Sequence, residues 1–235
     1  MFTGPKIVTD GLVLALDAAS TKSYPGTGAD WFGLTSTNSK VNLNNGPTFE
    51  DNLYISFDGV NDSGTFATEY SFTSGNGTMF SFELWFKMRT LPTAEYGANG
   101  HIWGGENGND LVMYLNPASN GVSRGIMVYD DTRYNTSMMT TGGFTANTWA
   151  QWVITGNGTD NTVTHYINGE LDRGPTDILP TSQYVKPWGG TRLAYDSRWG
   201  TYSSLDLSAI RQYTRELTAS EVLLNYNALK SRFGL

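Results

Sequence analysis

The chain has 235 residues and no cysteine, which excludes a disulfide framework, a thiol nucleophile and a metal site made of thiolates. Its 15 Lys and Arg residues against 22 Asp and Glu residues give a net charge of −7, so its surface should repel nucleic acid and anionic lipid. No apolar run approaches the ~20 residues of a membrane-spanning helix, and residues 1–6 lack the basic and apolar regions of a signal peptide.

Most of the chain alternates apolar and polar residues with a period of two, which predicts β-strands that bury one face. In chain order, the predicted strands cover residues 12–17, 53–57, 80–87, 111–115, 125–129, 149–155, 163–168, 192–195 and 207–213. The clearest of them places four large apolar side chains on one face and mostly polar ones on the other: Phe80, Phe82, Leu84 and Phe86 against Ser81, Glu83, Trp85 and Lys87.

Short turn sequences separate these strands. Asn168-Gly169 is the strongest hairpin signal in the chain, and further turns are predicted at Asp58-Gly59 and at residues 45–47, 75–77 and 156–158. Many short strands with regular turns predict an all-β antiparallel sandwich or barrel. No linker or change in composition divides the chain, so we expect one domain over residues 1–235.

One helix is predicted at the C-terminus, over about residues 218–230. Thr218 and Glu221 have the spacing of a capping box, and Leu217 is placed to pack against Val222. The helical face is predicted at Val222, Leu223, Tyr226 and Leu229, and Gly234 is the expected stop. This pattern is typical of an element that closes a sandwich.

Several segments together resemble laminin-G-like jelly-roll domains of the concanavalin A-like lectin/glucanase class. They keep the order of that family along nearly the whole chain: residues 11–19 (GLVLALDAA), 22–26 (KSYPG), 57–62 (FDGVND), 82–86 (FELWF), 166–170 (YINGE), 217–221 (LTASE) and 232–234 (RFG). The resemblance implies two antiparallel sheets in a jelly roll. The opening and the ending are similar to those of structural proteins of tailed bacteriophages.

That resemblance implies a structural role in a virion, as a capsid decoration, fibre or tail component made in the host cytoplasm. The expected partners are other virion proteins in an oligomeric assembly and host-surface glycans, with no nucleic acid and no membrane insertion. A free-standing carbohydrate-binding module is the alternative.

The third hypothesis, a glycoside hydrolase, requires two carboxyl groups about 5–5.5 Å apart for the retaining reaction. The one Glu-x-Asp sequence, Glu170-Leu171-Asp172, has no second Glu after it, so we expect no enzymatic activity.

Calcium is the cofactor that the sequence leaves open. Asp58, Asn61 and Asp62 form one oxygen-rich turn, and residues 107–110 and 130–131 form two others. Calcium needs six to eight oxygens, and Asx residues in turns commonly bond to the backbone instead. We therefore expect no bound cofactor.

Aromatic residues near Gly-, Asn- and Thr-rich segments are the candidates for sugar contacts, because sugar rings stack on aromatic faces while their hydroxyls are hydrogen-bonded. They are Trp31, Trp103, Trp149, Trp188, Trp199, Tyr96, Tyr129, Tyr134 and Tyr202. The alternative is that each fills the core or a protein contact. From alternation, Glu83 and Trp85 should lie on a sheet face away from the core. The predicted glycan site is this pair with a rim of five residues: His101, Trp103, Asp110, Tyr129 and Tyr134.

Overall fold

The computed structural model describes residues 6–35, 39–67, 79–93, 99–104, 112–117, 122–128, 139–160, 162–177, 192–197 and 199–235. Their strands form two large antiparallel sheets and one small hairpin, with a single α-helix near the C-terminus. The predicted all-β, two-sheet antiparallel sandwich with a short C-terminal helix is confirmed. None of the described helices is long and apolar enough to cross a membrane.

Sheet A has β7 and β18 at its centre, with the order β14-β13-β12-β7-β18-β5-β4, and β1 pairs with β18 as well. Its strands are β1 Leu12–Asp17, β4 Thr48–Glu50, β5 Tyr54–Asp58, β7 Met79–Met88, β12 Ala150–Asn157, β13 Thr162–Ile167, β14 Glu170–Asp177 and β18 Ser204–Tyr213. The β13–β14 connection is the predicted Asn168-Gly169 hairpin. Both residues have positive φ, 52° and 81°, as a type I′ turn requires.

Sheet B has the order β11-β10-β9-β8-β15-β6-β3-β2. Its strands are β2 Asp30–Phe32, β3 Lys40–Asn44, β6 Ser63–Phe66, β8 His101–Gly104, β9 Val112–Pro117, β10 Val122–Val128, β11 Phe144–Thr145 and β15 Arg192–Leu193. A two-stranded hairpin, β16 Tyr195–Asp196 and β17 Thr201–Tyr202, follows β15 directly.

Large aromatic side chains fill the space between the two sheets. Trp31 and Trp103 of sheet B and Trp152 of sheet A are completely buried there, with Phe82 and Phe86 of β7. Burying a side chain of this size stabilises the fold by about 1.5–3 kcal/mol relative to leaving it exposed. The alternation of β7 thus places its Phe/Leu face in the core, as the sequence predicts.

Two predicted segments differ in the structure. Residues 192–195 do not form one strand, because Ala194 has φ +59° and redirects the chain between β15 and β16. Gly156 and Asn157, predicted in a turn, instead end strand β12. Gly156 lies against the ring of Phe80, which leaves no space for a Cβ, so the glycine permits close packing. The predicted turn at residues 75–77 lies outside the described residues.

The C-terminal segment consists of helix α1, Ala219–Leu229, and a 3-10 turn, Lys230–Phe233. Thr218 is the N-cap, and its reciprocal hydrogen bonds with Glu221 form the predicted capping box. Gly234, at φ +73°, ends the segment as predicted. The predicted buried face was partly wrong: Leu223 is 45 % exposed, and Asn225 is buried instead.

Candidate functional site

Glu83 and Trp85 lie on the outer face of sheet A, away from the core, but the C-terminal segment covers them. Both side chains are 0 % exposed. The Trp85 ring is stacked on Tyr226, with centroids 5.7 Å apart, and on Phe233, at 4.5 Å. The predicted sugar contact by this pair is therefore corrected, because helix α1 and the turn after it occupy the place a sugar would take.

Glu83 is the centre of a buried hydrogen-bond network under that helix. Its Oε1 accepts from Trp85 Nε1 at 3.0 Å, from Gln151 Nε2 at 2.9 Å and from Arg211 Nη1 at 2.9 Å. Its Oε2 accepts from Asn225 Nδ2 at 2.8 Å. Arg211 compensates the charge of the carboxylate, and four donors surround it, so Glu83 holds helix α1 on sheet A.

The Glu-x-Asp pair at residues 170–172 also includes a residue with a structural role. Asp172 Oδ2 accepts from the backbone N–H of Thr141 at 2.6 Å, and its Oδ1 accepts from that of Gly142 at 2.6 Å. Glu170 opens β14 at the sheet edge with an exposed side chain. Asp172 thus ties a neighbouring loop to the edge strand.

The candidate calcium turn at residues 58–62 is held by its own backbone. Asp58 Oδ1 accepts from the N–H groups of Val60 at 2.7 Å, Asn61 at 3.2 Å and Asp62 at 3.4 Å. These bonds hold the pKa of Asp58 below its usual value, whereas burial raises the pKa of Asp62. Among the residues that the structure describes, no cluster of three or more His, Asp or Glu side chains is arranged to hold a metal ion. The candidate turns at 107–110 and 130–131 lie outside the described residues.

The structure does not bring the predicted rim together with Glu83 and Trp85, because its described members belong to sheet B. Trp103 faces the core, where its ring is stacked on Phe66 with centroids 5.9 Å apart. His101 is paired with Tyr114 in the β8–β9 ladder and is buried, with its Nδ1 3.8 Å from Asp196 Oδ2. Neither side chain offers a surface to a sugar. Asp110, Tyr129 and Tyr134 lie outside the described residues.

The other candidate aromatic side chains differ in how far they are exposed. Trp31 is in the core, and Trp149 is half-buried against Phe233, with ring centroids 4.6 Å apart. Trp188 and Tyr96 lie outside the described residues. Trp199 is the exception, because it is 62 % exposed in the turn between β16 and β17.

The β16–β17 hairpin is fixed at its base and exposed at its tip. The left-handed Ala194 directs it out of sheet B, and Ser203 N–H donates to the carbonyl of Ala194 at 2.8 Å. The rings of Tyr195 and Tyr202 pack across the hairpin, with centroids 4.6 Å apart, and Asp196 is buried against β8. Trp199 is thus held outward on a short, anchored support.

Beside this hairpin, the outer face of sheet B carries a row of half-buried polar side chains. Arg192 pairs with Thr65 in the β15–β6 ladder, and Thr65 pairs with Asn42 in the β6–β3 ladder. Neighbouring strands are about 4.8 Å apart, so the three side chains span about 10 Å. Asn44 Nδ2 also donates to Thr65 Oγ1 at 2.9 Å. The predicted site does not include this row, although its residues alternate with the core residues Val41, Leu43, Gly64 and Leu193.

The described strands of sheet B carry four charged side chains. They are three cations and one carboxylate: Lys40, Arg124, Arg192 and Asp30. Lys40 Nζ lies 3.0 Å from Asp30 Oδ1, so that pair is internally neutral.

This geometry defines a lectin-like β-sandwich. Among the described residues of sheet B, Asn42, Asn44 and Thr65 are half-buried on the outer face, whereas His101, Val112 and Tyr114 of that face are buried. A family model described as the concanavalin A-like lectin/glucanases superfamily matches residues 57–223, and the chain belongs to that family. No curated protein is similar enough in sequence to count as a relative.

Solved structures with the same fold are enzymes and binding domains. A Trypanosoma rangeli sialidase mutant with trans-sialidase activity has a TM-score of 0.65 and 16 % identity, covering 96 % of this chain and 34 % of that one. The T. rangeli sialidase in complex with sialic acid gives 0.64 and 15 %, covering 97 % and 34 %. The ligand-binding domain of botulinum neurotoxin serotype D, in complex with N-acetylneuraminic acid, gives 0.62 and 17 %, covering 92 % and 50 %. The chain therefore spans about a third of the sialidase chains, and at these identities the likeness shows the fold alone.

Proposed function

We propose that this chain is a non-catalytic module that contacts glycans through the part of the sheet B surface that β3, β6 and β15 form. The observation that carries the proposal is a difference between two outer surfaces. The C-terminal segment covers Glu83 and Trp85 on sheet A, whereas Asn42, Asn44 and Thr65 on sheet B are half-buried, with amide and hydroxyl groups at the surface. Such groups donate and accept in fixed directions, as recognition of sugar hydroxyls requires.

The family and the fold support a carbohydrate ligand. The titles of two of the similar structures name sialic acid as the bound molecule, in a sialidase and in a toxin binding domain. These ligands are ligands of those proteins. For this chain they only make sugars the first class of ligand to test. Proteins that share a fold can differ in function, so the proposal depends on the surface residues of β3, β6 and β15.

The hydrogen bonds of the Glu83 and Asp172 carboxylates support a non-catalytic function. Glycoside hydrolysis on this fold needs an acid and a nucleophile or base at the sugar. Glu83 is enclosed under helix α1 with four hydrogen-bond donors, and Asp172 is bonded to two backbone N–H groups.

A glycan array combined with a turnover assay tests this function. The purified chain should be retained by a subset of glycans, and incubation with the same glycans should release no sugar. The carboxylate variants Glu170→Gln and Asp172→Asn provide the control for trace activity. Silence of the wild-type chain on the array, or sugar release that disappears in either variant, would contradict the proposal.

We propose further that the module acts in the virion of a tailed bacteriophage, as a capsid decoration, fibre or tail component among other virion proteins. Two observations support this setting. The opening and ending of the chain resemble those of phage structural proteins, and both pack on the closed face of sheet A, through Val8 on Asn225 and Arg232 on Asp17.

Mass spectrometry of purified phage particles tests the setting independently of any sugar. The chain should be found in particles, at a copy number that matches the symmetry of one virion component. Its absence from particles of a phage that expresses it would reject the virion role and leave the free-standing carbohydrate-binding module.

A further inference from the structure

Strand β2 holds one large aromatic ring at the surface of sheet B. Phe32 is 42 % exposed, whereas its neighbour Trp31 is completely buried in the core. Because side chains alternate along a strand, Asp30 and Phe32 lie together on the outer face of the sheet. A ring exposed on a paired strand offers an apolar surface without ordering of the backbone, so Phe32 suits a ligand that stacks on it.

The register of the sheet places polar side chains beside this ring. In the β2–β3 ladder Phe32 pairs with Lys40 and Asp30 pairs with Asn42, and in the β3–β6 ladder Asn42 pairs with Thr65. Side chains directly opposite each other have Cβ atoms about 4.5–5.5 Å apart, and residues two apart along one strand are about 7 Å apart. These five residues form the Phe32 patch, and its side chains can contact the same ligand.

Two polar groups of the Phe32 patch have bonding capacity for a ligand. Among the residues that the structure describes, the side-chain amide of Asn42 has no hydrogen-bond partner, and the carboxylate of Asp30 bonds only Lys40 Nζ, at 3.0 Å. The side chains of Asp30 and Lys40 are 41 % and 35 % exposed. An amide both donates and accepts hydrogen bonds, and a carboxylate accepts several. This set matches sugar hydroxyls, each of which donates and accepts.

The charges of the Phe32 patch favour an uncharged ligand. Lys40 compensates Asp30, so the pair adds no net charge, and the whole chain carries −7. A carboxylate on the ligand would approach Asp30 with the same sign of charge, and the two groups would repel each other. A neutral sugar meets no such repulsion.

We propose that the Phe32 patch binds an uncharged pyranose sugar. The ring of Phe32 stacks on the C–H face of the sugar, the carboxylate of Asp30 accepts from its hydroxyls, and the amide of Asn42 donates to them and accepts from them. This inference rests on the glycan-contacting function proposed above. It extends the contact surface to β2 and adds a ligand class.

Calorimetry with matched sugar pairs tests the patch. It compares lactose with 3′-sialyllactose, and galactotriose with trigalacturonate, at low ionic strength. We expect the wild-type chain to bind the neutral member of at least one pair about fivefold or more tightly than the carboxylated member. Phe32→Ala and Asn42→Ala should each weaken binding of that neutral sugar about tenfold. Asp30→Asn should remove the preference for the neutral member, because the repelling charge is then absent.

Two control variants remove side chains of the same kinds outside the patch: Leu171→Ala, at a position 59 % exposed on β14, and Asn227→Ala on helix α1. Both should bind as the wild-type chain does, and all the variants should keep the thermal unfolding midpoint within a few degrees.

Equal binding by Phe32→Ala, Asn42→Ala and the wild-type chain would overturn the site and leave the glycan-contacting function intact. Equal or tighter binding of the carboxylated probes by the wild-type chain, or binding of neither neutral probe, would overturn the ligand class. Silence of the wild-type chain on the glycan array would overturn both proposals.

Discussion

At the scale of single residues, the carboxylate predicted to contact a sugar has a structural role. Glu83 is completely buried and is paired with Arg211, itself buried. Removing one partner of such a pair leaves an uncompensated charge in the interior, which is much more costly than losing one hydrogen bond.

Glu83→Ala should therefore lower the free energy of unfolding by about 3–5 kcal/mol. Adding Arg211→Met to that variant should recover part of the loss, because the unpaired cation is then removed as well. Urea unfolding of the two variants and of Glu170→Ala measures these effects. The exposed Glu170 should change stability by no more than about 0.5 kcal/mol. Equal losses at positions 83 and 170 would show that the network does not hold the fold.

His165 makes the stability depend on pH. Burial between the sheets lowers its pKa from the ordinary value of 6.5 to about 4, with opposing smaller effects from Asp172 and Arg173. Trp152 Nε1 donates to its Nδ1 at 3.3 Å, which requires the neutral ring. Since the unfolded chain takes up the proton first, the contribution of His165 is complete above pH 6.5 and is lost as the pH falls towards 4.

Urea unfolding between pH 4 and 7.5 checks this dependence. Below pH 6.5 the wild-type chain should lose up to about 1.4 kcal/mol per pH unit from this residue. The variant His165→Gln keeps a hydrogen-bond acceptor but has no proton to take up, so its stability should fall less steeply over the same range. Parallel curves for the two chains would exclude His165 as the source.

At the scale of elements, the C-terminal segment is fastened through one amide side chain. Asn225 Oδ1 accepts from the backbone N–H of Val8 at 2.8 Å, and its Nδ2 donates to Glu83 and to the hydroxyl of Tyr213 at 3.0 Å. One residue thus joins helix α1 to the N-terminal segment and to strands β7 and β18.

Asn225→Ala should lower the free energy of unfolding by about 2–3 kcal/mol, because it leaves buried polar groups without partners. Hydrogen exchange of the α1 amides should become faster, and Trp85 should become accessible to acrylamide. Asn227→Ala, on the same helix and half-exposed, is the matched control and should have little effect. The fastening role is contradicted if the two variants exchange alike.

The sequence predicts the elements of this segment better than their contacts. Thr218, Glu221 and Gly234 are local signals for the ends of a helix, and the structure confirms them. Asn225 has no such signal, because two of its three partners, Glu83 and Val8, are more than 100 residues away in the chain. The hairpin of Trp199 depends on the left-handed Ala194, a conformation that alanine rarely adopts, so the sequence predicts a continuous strand there instead.

At the scale of the whole molecule, the period-two alternation predicts which side chains leave the core but not what covers them. It correctly places Glu83 and Trp85 outside the core, yet the chain's own C-terminus covers that face. On sheet B, Thr65 and Asn42 stay half-buried at the surface, whereas His101, Val112 and Tyr114 of the same face are buried. The proposed function depends on this difference between the covered part of sheet A and the surface that β3 and β6 form.

NMR of the isotope-labelled chain during titration with 3′-sialyllactose tests the proposed glycan contact most directly. We expect amide shift changes at residues 42–44 and 63–66, with residues 83–85 and 219–233 unchanged. Changes centred on Glu83, Trp85 and helix α1, with strands β3 and β6 unaffected, would contradict the proposed function.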